Sequence, residues 1–168
     1  MDSGSGLTAA GKSALKKAIE LGMIVDVSHM SEQGFWDLCR MTDVPFAATH
    51  SNSYAVKNHP RNLKDEQFRE IAERGGVAGL NLYTSFLADE TLGAAARSIE
   101  RFMDVGGENS LCLGCDFDGC ESLPEGISGI QDMEKLYGFL AERGYSSKLL
   151  RKLFHDNLNG MVEKICDI

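Results

Sequence analysis

The stretch IVDVSHM, residues 24–30, is a short β-branched run that stops at a histidine, and FAATHS, residues 46–51, stops at another. Immediately before IVDVSHM, KSALKKAIELG (12–22) spaces Leu15, Ala18 and Ile19 along one helical face and ends on Gly22 as a C-terminal cap. Immediately after it, SEQGFWDLCRM (31–41) opens on Ser31 as an N-cap and returns to helical periodicity. The alternation then repeats: PFAATHS (45–51) as a strand, a polar loop through KNHPRNL (57–63), a helix over KDEQFREIAERG (64–75), and GVAGLNLY (76–83) as a strand. A further helix over roughly 91–105 leads to a fourth strand in SLCLGCDFDG (110–119). Four apolar strands separated by amphipathic helices predict an α/β fold with a parallel sheet covered by helices. The tail from Gln131 to Ile168 reads as two or three helices broken near Arg143-Gly144-Tyr145. No low-complexity tract or interior linker divides the chain, so residues 1–168 form one unit.

At 168 residues and 43% apolar composition the chain is the size of one domain with a real core. Seventeen Lys and Arg against 25 Asp and Glu give a net charge of -8, which argues against a nucleic-acid surface, since such surfaces rest on clustered basic residues. Five cysteines are an odd count without the density of a secreted disulfide framework, which points to a reducing, cytoplasmic compartment. MDSGSGLT has neither a basic n-region nor an apolar h-region, and no window approaches the length of a membrane span, so neither a leader nor a membrane partner is expected.

In parallel α/β folds the reacting groups sit at the carboxyl ends of the strands. All four predicted strands carry polar residues there: His29, His50, Asn81 with Tyr83, and Asp116 with Asp118. A lone histidine at such a place is more often a hydrogen-bonded structural residue than a ligand. The matched pair leaves the two readings even, because neighbouring parallel strands could bring both imidazoles to one metal. Arg61, in His59-Pro60-Arg61-Asn62, could clamp a carboxylate, although position alone favours a solvated loop residue. Asp116 and Asp118 alternate with Phe117 and would share a face if the strand reaches them, with a metal or a helix cap elsewhere as the alternatives. Cys112-Leu-Gly-Cys115 has the spelling of a zinc or redox motif, but residues three apart on a strand point to opposite faces, so the thiols should diverge. His155 reads as a surface or packing histidine and His59 as a loop residue.

GLTAAGK, LGMIVDVSHMS, THSNSYAV, HPRNLKDEQ, GGVAGLNLY and GCDFDG, in this order and spacing, resemble the membrane dipeptidase (renal dipeptidase, peptidase M19) family of metallopeptidases, from about Gly6 to the Asn157 region. The resemblance implies a (β/α)8 barrel of which these four strands are the later half. It implies a binuclear zinc site that hydrolyses dipeptides through a metal-activated hydroxide. In that site His29 and His50 are the two histidine ligands of one ion, Arg61 holds the dipeptide's carboxylate, Asp116 faces its free amino group, and Tyr83 lines the pocket.

The resemblance also exposes a departure. The family's H-x-D ligand pair and bridging carboxylate have no counterpart before His29, and a closed barrel typically takes about 250 residues. The chain therefore reads as the C-terminal part of a dipeptidase, a single partial domain expected to associate with a complementary N-terminal half or with itself, because half a barrel leaves open sheet edges and an uncovered apolar face. A catalytically inactive remnant acting as a binding or oligomerising module, and a different amidohydrolase-like barrel hydrolase, stand as alternatives.

Overall fold

The computed structural model describes residues 4–166, so the last two residues of the predicted tail lie outside the described residues. The chain alternates helices with short strands: α1 (Ala9–Glu20), α2 (Glu32–Met41), β1 (Ala47–Ala48), α3 (Asp65–Glu73), β2 (Val77–Leu80), α4 (Leu92–Asp104) and β3 (Leu111–Leu113). The tail holds α5 (Met133–Glu142), α6 (Ser147–Arg151) and α7 (Asn157–Cys166), with a π-helical turn at Lys152–Asp156 between the last two. The predicted break falls between α5 and α6, where Gly144 takes a φ of 91°, a conformation open to glycine at no steric cost.

Local chemistry sets the helix starts. Ser31 caps α2 as predicted, its hydroxyl accepting from the Gly34 amide. Helix α1 begins three residues before the predicted Lys12, because the Thr8 side chain caps it by accepting from the Gly11 amide. At α3 the Gln67 side chain accepts from the Lys64 amide, satisfying an amide that would otherwise lack a partner at the helix start.

The sheet has three parallel strands in sequential order, β1-β2-β3. The strand predicted at IVDVSHM corrects to a single parallel bridge, Asp26 to Ala47, in which the Val27 amide donates to the Ala47 carbonyl and the Ala47 amide to Val25. The pairing stops because Asp26 intercepts it. Its Oδ1 accepts the amides of both Ser28 and Thr49, and the Met30 amide turns back to the Val27 carbonyl. One carboxylate thus ends two neighbouring segments just before His29 and His50.

Side-chain alternation sorts the two faces of the sheet. Val25, Val27, Ala48, Ala78, Leu80 and Leu111 enter the main core, where α2, α3 and α4 contribute Phe35, Leu38, Phe68, Ile71, Ile99 and Phe102. Phe68 and Phe102 stack with ring centroids 4.1 Å apart. On the opposite face Ala47, Val77 and Cys112 are buried against Met161 of α7. That face is therefore covered, contrary to the sequence expectation of an open apolar surface. The free edge of β3 is covered too: the Asn157 amide group donates to the carbonyls of Leu111 (2.7 Å) and Glu108 (3.0 Å). Covering an edge with helix satisfies strand carbonyls that another chain could otherwise pair with. On the side of residues 25–27 no strand lies beyond the bridge among the described residues.

Candidate active site

His50 leaves β1 across the sheet rather than along it. The Thr49 carbonyl is seated on two glycines: a Cβ added to Gly79 would lie 1.9 Å from that oxygen, and one added to Gly114 would lie 1.6 Å from it. No other residue type fits at either position, and the close approach fixes where His50 begins. The Ser51 amide then rejoins β2 through the Gly79 carbonyl.

Asp26 holds this crossing through four hydrogen bonds. Asp26 accepts at Oδ1 from the amides of Ser28 and Thr49 and from the Ser28 hydroxyl, and at Oδ2 from the Thr49 hydroxyl at 2.6 Å. Burial pushes the Asp26 carboxyl up, but the bonds from Thr49 and Ser28 together outweigh it and the pKa lies below the usual value. The Ser28 hydroxyl receives the His50 amide at 3.0 Å, and Thr49 Oγ1 lies 2.8 Å from His50 Nδ1.

The two histidines meet, with ring centroids 5.0 Å apart. His29 is exposed, and its Nε2 lies 3.0 Å from Arg61 Nη2. Partial desolvation, then the charge of Arg61, then His50 lower its pKa, which favours the neutral imidazole. Arg61 comes from the loop after β1. Its amide donates to His59 Nδ1 at 3.2 Å and its guanidinium lies over the Phe86 ring, 5.6 Å from the centroid. His59 packs at a tilt against the same ring at 4.7 Å, so this loop histidine helps to seat Arg61. Burial draws the Arg61 pKa down against the carboxylates of Asp116 and Asp26, and the group stays cationic at any ordinary pH.

Beyond β2, Asn81 is fully buried and locked to Asn52: the Asn81 amide donates to Asn52 Oδ1 and the Asn52 side chain to the Asn81 carbonyl. Its own Nδ2 reaches Asp116 Oδ2 at 3.2 Å, and its Oδ1 accepts the Tyr83 amide at 2.6 Å. Asp116 does not continue a strand. It takes a φ of 61° in a turn closed by the Gly119 amide on its carbonyl, and Asp118 is exposed in that turn rather than sharing its face. Tyr83 packs edge-on against Phe86 at 4.9 Å and its hydroxyl reaches Glu121 at 3.5 Å. His29, His50, Arg61, Asn81 and Asp116 are thus brought together, with Tyr83 joined through Phe86.

The CxxC cysteines diverge as expected. Cys112 packs beside Ala47, Val77 and Met161, while Cys115 meets the main core with its sulfur 3.8 Å from that of Met133. Burial pushes the two thiols up to about 12 and about 11, so neither offers a thiolate near neutrality. His155 is exposed and paired with Asp156 at 2.9 Å.

The donor set suits a metal. His50 Nε2 is buried with no hydrogen-bond partner, beside the imidazole of His29, and a buried polar atom without a partner is costly unless something fills its bonding position. Among the described residues, no group of three or more His, Cys, Asp or Glu side chains converges on one point. Two imidazoles are what the described residues bring.

Sequence patterns missed Asp26, Ser28, Thr49, Asn52 and Phe86. The signal for the first was present: a carboxylate between two valines of an apolar run has to serve something on the opposite face.

Parallel strands that deliver two imidazoles, a guanidinium and a carboxylate to one end define a class, the α/β proteins whose ligand sites lie at the carboxyl ends of their strands. The profile of the membrane dipeptidase family (peptidase family M19) matches residues 1–167. An uncharacterized protein in the pqqA 5′ region of Klebsiella pneumoniae is 39% identical over 163 residues, 93% of this chain and 60% of that protein. An uncharacterized dipeptidase of Schizosaccharomyces pombe is 32% identical over 146 residues, 84% of this chain and 36% of that protein. A metallo peptidase from Rhodobacter sphaeroides, solved with a phosphinate mimic of the dipeptide L-Ala-D-Ala, superposes with a TM-score of 0.92 at 37% identity, covering 98% of this chain and 48% of that one. The chain belongs to the membrane dipeptidase family, peptidase family M19. It spans about half the length of the solved relatives it matches.

Proposed function

We propose that this chain is the C-terminal part of a zinc-dependent dipeptidase, in which His29 and His50 supply imidazole ligands to one ion of a two-metal site. The observation that carries the proposal is the buried, unpartnered Nε2 of His50 beside the ring of His29. Sequential parallel strands with α2, α3 and α4 packed into one core support placing the chain in the later part of a (β/α)8 barrel. The relative bound to a dipeptide mimic supports a dipeptide as substrate. When bound, zinc would polarise the scissile carbonyl and make a water molecule nucleophilic near neutral pH.

The chain's own residues supply recognition. Arg61, seated over Phe86 and tethered through His59, would pair with the substrate carboxylate through two parallel hydrogen bonds. Asp116, held by Asn81, would accept the free amino group, and Tyr83 would line the pocket between them. A fixed cation and a fixed anion measure a substrate carrying both termini, which selects dipeptides over longer peptides. The remaining ligands would come from a complementary N-terminal half, and the odd cysteine count supports a cytoplasmic setting. No helix of the described residues is long and apolar enough to cross a membrane.

The test is an assembly in which the missing half is supplied, loaded with zinc and assayed on dipeptides and tripeptides. Dipeptide hydrolysis alone is expected, with two zinc ions per site. Arg61→Ala should raise the dipeptide KM by about 100-fold, the roughly 2–3 kcal/mol of lost charged hydrogen bonds. An assembly that binds zinc and cleaves no dipeptide would sink the proposal, and an unchanged KM in Arg61→Ala would favour another barrel hydrolase.

A further inference from the structure

The hydroxyl of Thr49 has one hydrogen and three neighbours, the most distant being Ser28 Oγ at 3.3 Å. On one side Asp26 Oδ2 lies 2.6 Å away, and on the other His50 Nδ1 lies 2.8 Å away. A carboxylate can only accept, so the hydrogen goes to Asp26 and Thr49 Oγ1 faces the imidazole with a lone pair. The proton of that second bond must come from the ring, which makes His50 the Nδ1–H tautomer and leaves Nε2 with its electron pair free. That Nε2 is the atom buried without a partner. The same carboxylate fixes the backbone beneath the ring. Asp26 Oδ1 takes the Ser28 hydroxyl hydrogen at 2.7 Å, so Ser28 Oγ is left to accept the His50 amide at 3.0 Å. The shorter bonds to the carboxylate take both hydroxyl hydrogens, so the 3.3 Å contact between Ser28 and Thr49 carries none, and every hydrogen in the chain Asp26, Thr49, Ser28, His50 has one assignment, although Asp26 and Thr49 are open to solvent.

We infer that Asp26 is a positioning residue that acts through the Thr49 hydroxyl to fix the tautomer of His50 and present its Nε2 as an electron-pair donor. Its use toward a metal rests on the proposed function above; the tautomer itself does not. Partners that orient a ligating imidazole in this way fix which nitrogen meets the ion and how basic it is.

The experiment needs neither metal nor substrate. The metal-free 168-residue chain, labelled with nitrogen-15, is examined by NMR at about pH 8, where an unperturbed imidazole is neutral, and ring correlations show which His50 nitrogen carries the proton. The wild type should carry it on Nδ1. Thr49→Ser keeps the hydroxyl and should keep the assignment, whereas Thr49→Val replaces it with a methyl group and should release the ring into a mixture of tautomers. Asp26→Asn makes the sharper test. Its amide oxygen is claimed by three donors, which turns its NH2 toward Thr49 Oγ1 and forces the Thr49 hydrogen onto His50 Nδ1. His50 should then carry its proton on Nε2, an inversion that loss of packing alone would not produce. Thermal melts of each variant identify any that unfolds, and the Thr49→Ser and Thr49→Val pair decides the matter if Asp26→Asn does. A wild-type ring protonated on Nε2, or a folded Thr49→Val variant with an unaltered Nδ1–H, would overturn the inference. A dipeptidase assay that failed while these shifts behaved as described would count against the proposed function and not against the relay.

Discussion

The exits of β1 and β3 both deliver a site residue, and they are built differently. At the β1 exit His50 is held at its backbone amide by Ser28 and at its ring by Thr49, and both hydroxyls lean on Asp26. At the β3 exit Asp116 sits in a left-handed turn, its side chain meeting Asn81 at 3.2 Å. Under the proposed function the first would be a ligand mount, in which one nitrogen must point one way. The second would be a charge on a short tether, set by its turn and by a single contact to Asn81. The difference teaches that the contacts around an exit, and not the strand that leads to it, set how firmly its residue is held.

The two exits are mechanically coupled, because the Thr49 carbonyl of the first rests on Gly114 of the second. Gly114→Ala is therefore the largest expected disturbance. Its Cβ would lie 1.6 Å from that carbonyl oxygen, and a backbone atom cannot swing aside as a side chain can. Overpacking of this kind lies at the upper end of its usual range, about 3 kcal/mol, which for a chain of this size lowers Tm by about 10 °C. The ring contact between His29 and His50 should be lost with it. Denaturant titration and nitrogen-15 spectra would check both, and a variant of wild-type stability would show that the β1 exit can shift and is no rigid mount.

The frame of this arrangement is legible in the sequence, and its joints are not. Ser31 and Gly144 announce a helix start and a tail break because the side chain of one and the missing side chain of the other act on their own backbone. His29, His50 and Asp116 stand out because polar groups end apolar runs. IVDVSHM reads as a full strand because β-branched residues dominate it, yet Asp26 takes the amides that would have extended the ladder. Gly79 and Gly114 look like ordinary small residues until the Thr49 carbonyl is found on them. A contact between segments dozens of residues apart leaves no periodicity to read.

The loop leaving β3 is also pinned at its far end, and acid should loosen it there. Asp132 accepts from the amide and hydroxyl of Ser128 and pairs with Lys135 at 2.7 Å. The Lys135 contact, then the Ser128 bonds, hold its carboxyl down at about 2. A depressed carboxylate stabilises the fold fully above its unfolded value of about 3.9 and loses that contribution as pH falls toward 2, because the unfolded chain binds the proton first. Unfolding free energy should therefore decline between about pH 4 and pH 2, and Asp132→Asn should flatten that decline. An identical slope in the two proteins would mean that the β3 exit is not anchored through this carboxylate.

Asp116→Asn is the smallest expected change in stability and the finest test of the comparison. Asparagine tolerates the left-handed conformation as aspartate does, so the φ of 61° carries over. Its side-chain oxygen can still accept from Asn81 Nδ2, which preserves that hydrogen bond. The fold should be unchanged to within about 0.5 kcal/mol, measured by chemical denaturation. In the completed enzyme of the proposed function the lost charge should instead appear as a fall in kcat/KM of about 100-fold, the roughly 2–3 kcal/mol of a charged hydrogen bond to the substrate amino group. A tether can lose its charge and keep its shape, whereas a mount cannot. If Asp116→Asn unfolded the turn, Asp116 would belong with His50 as a structural fixture, and the contrast between the two exits would fail.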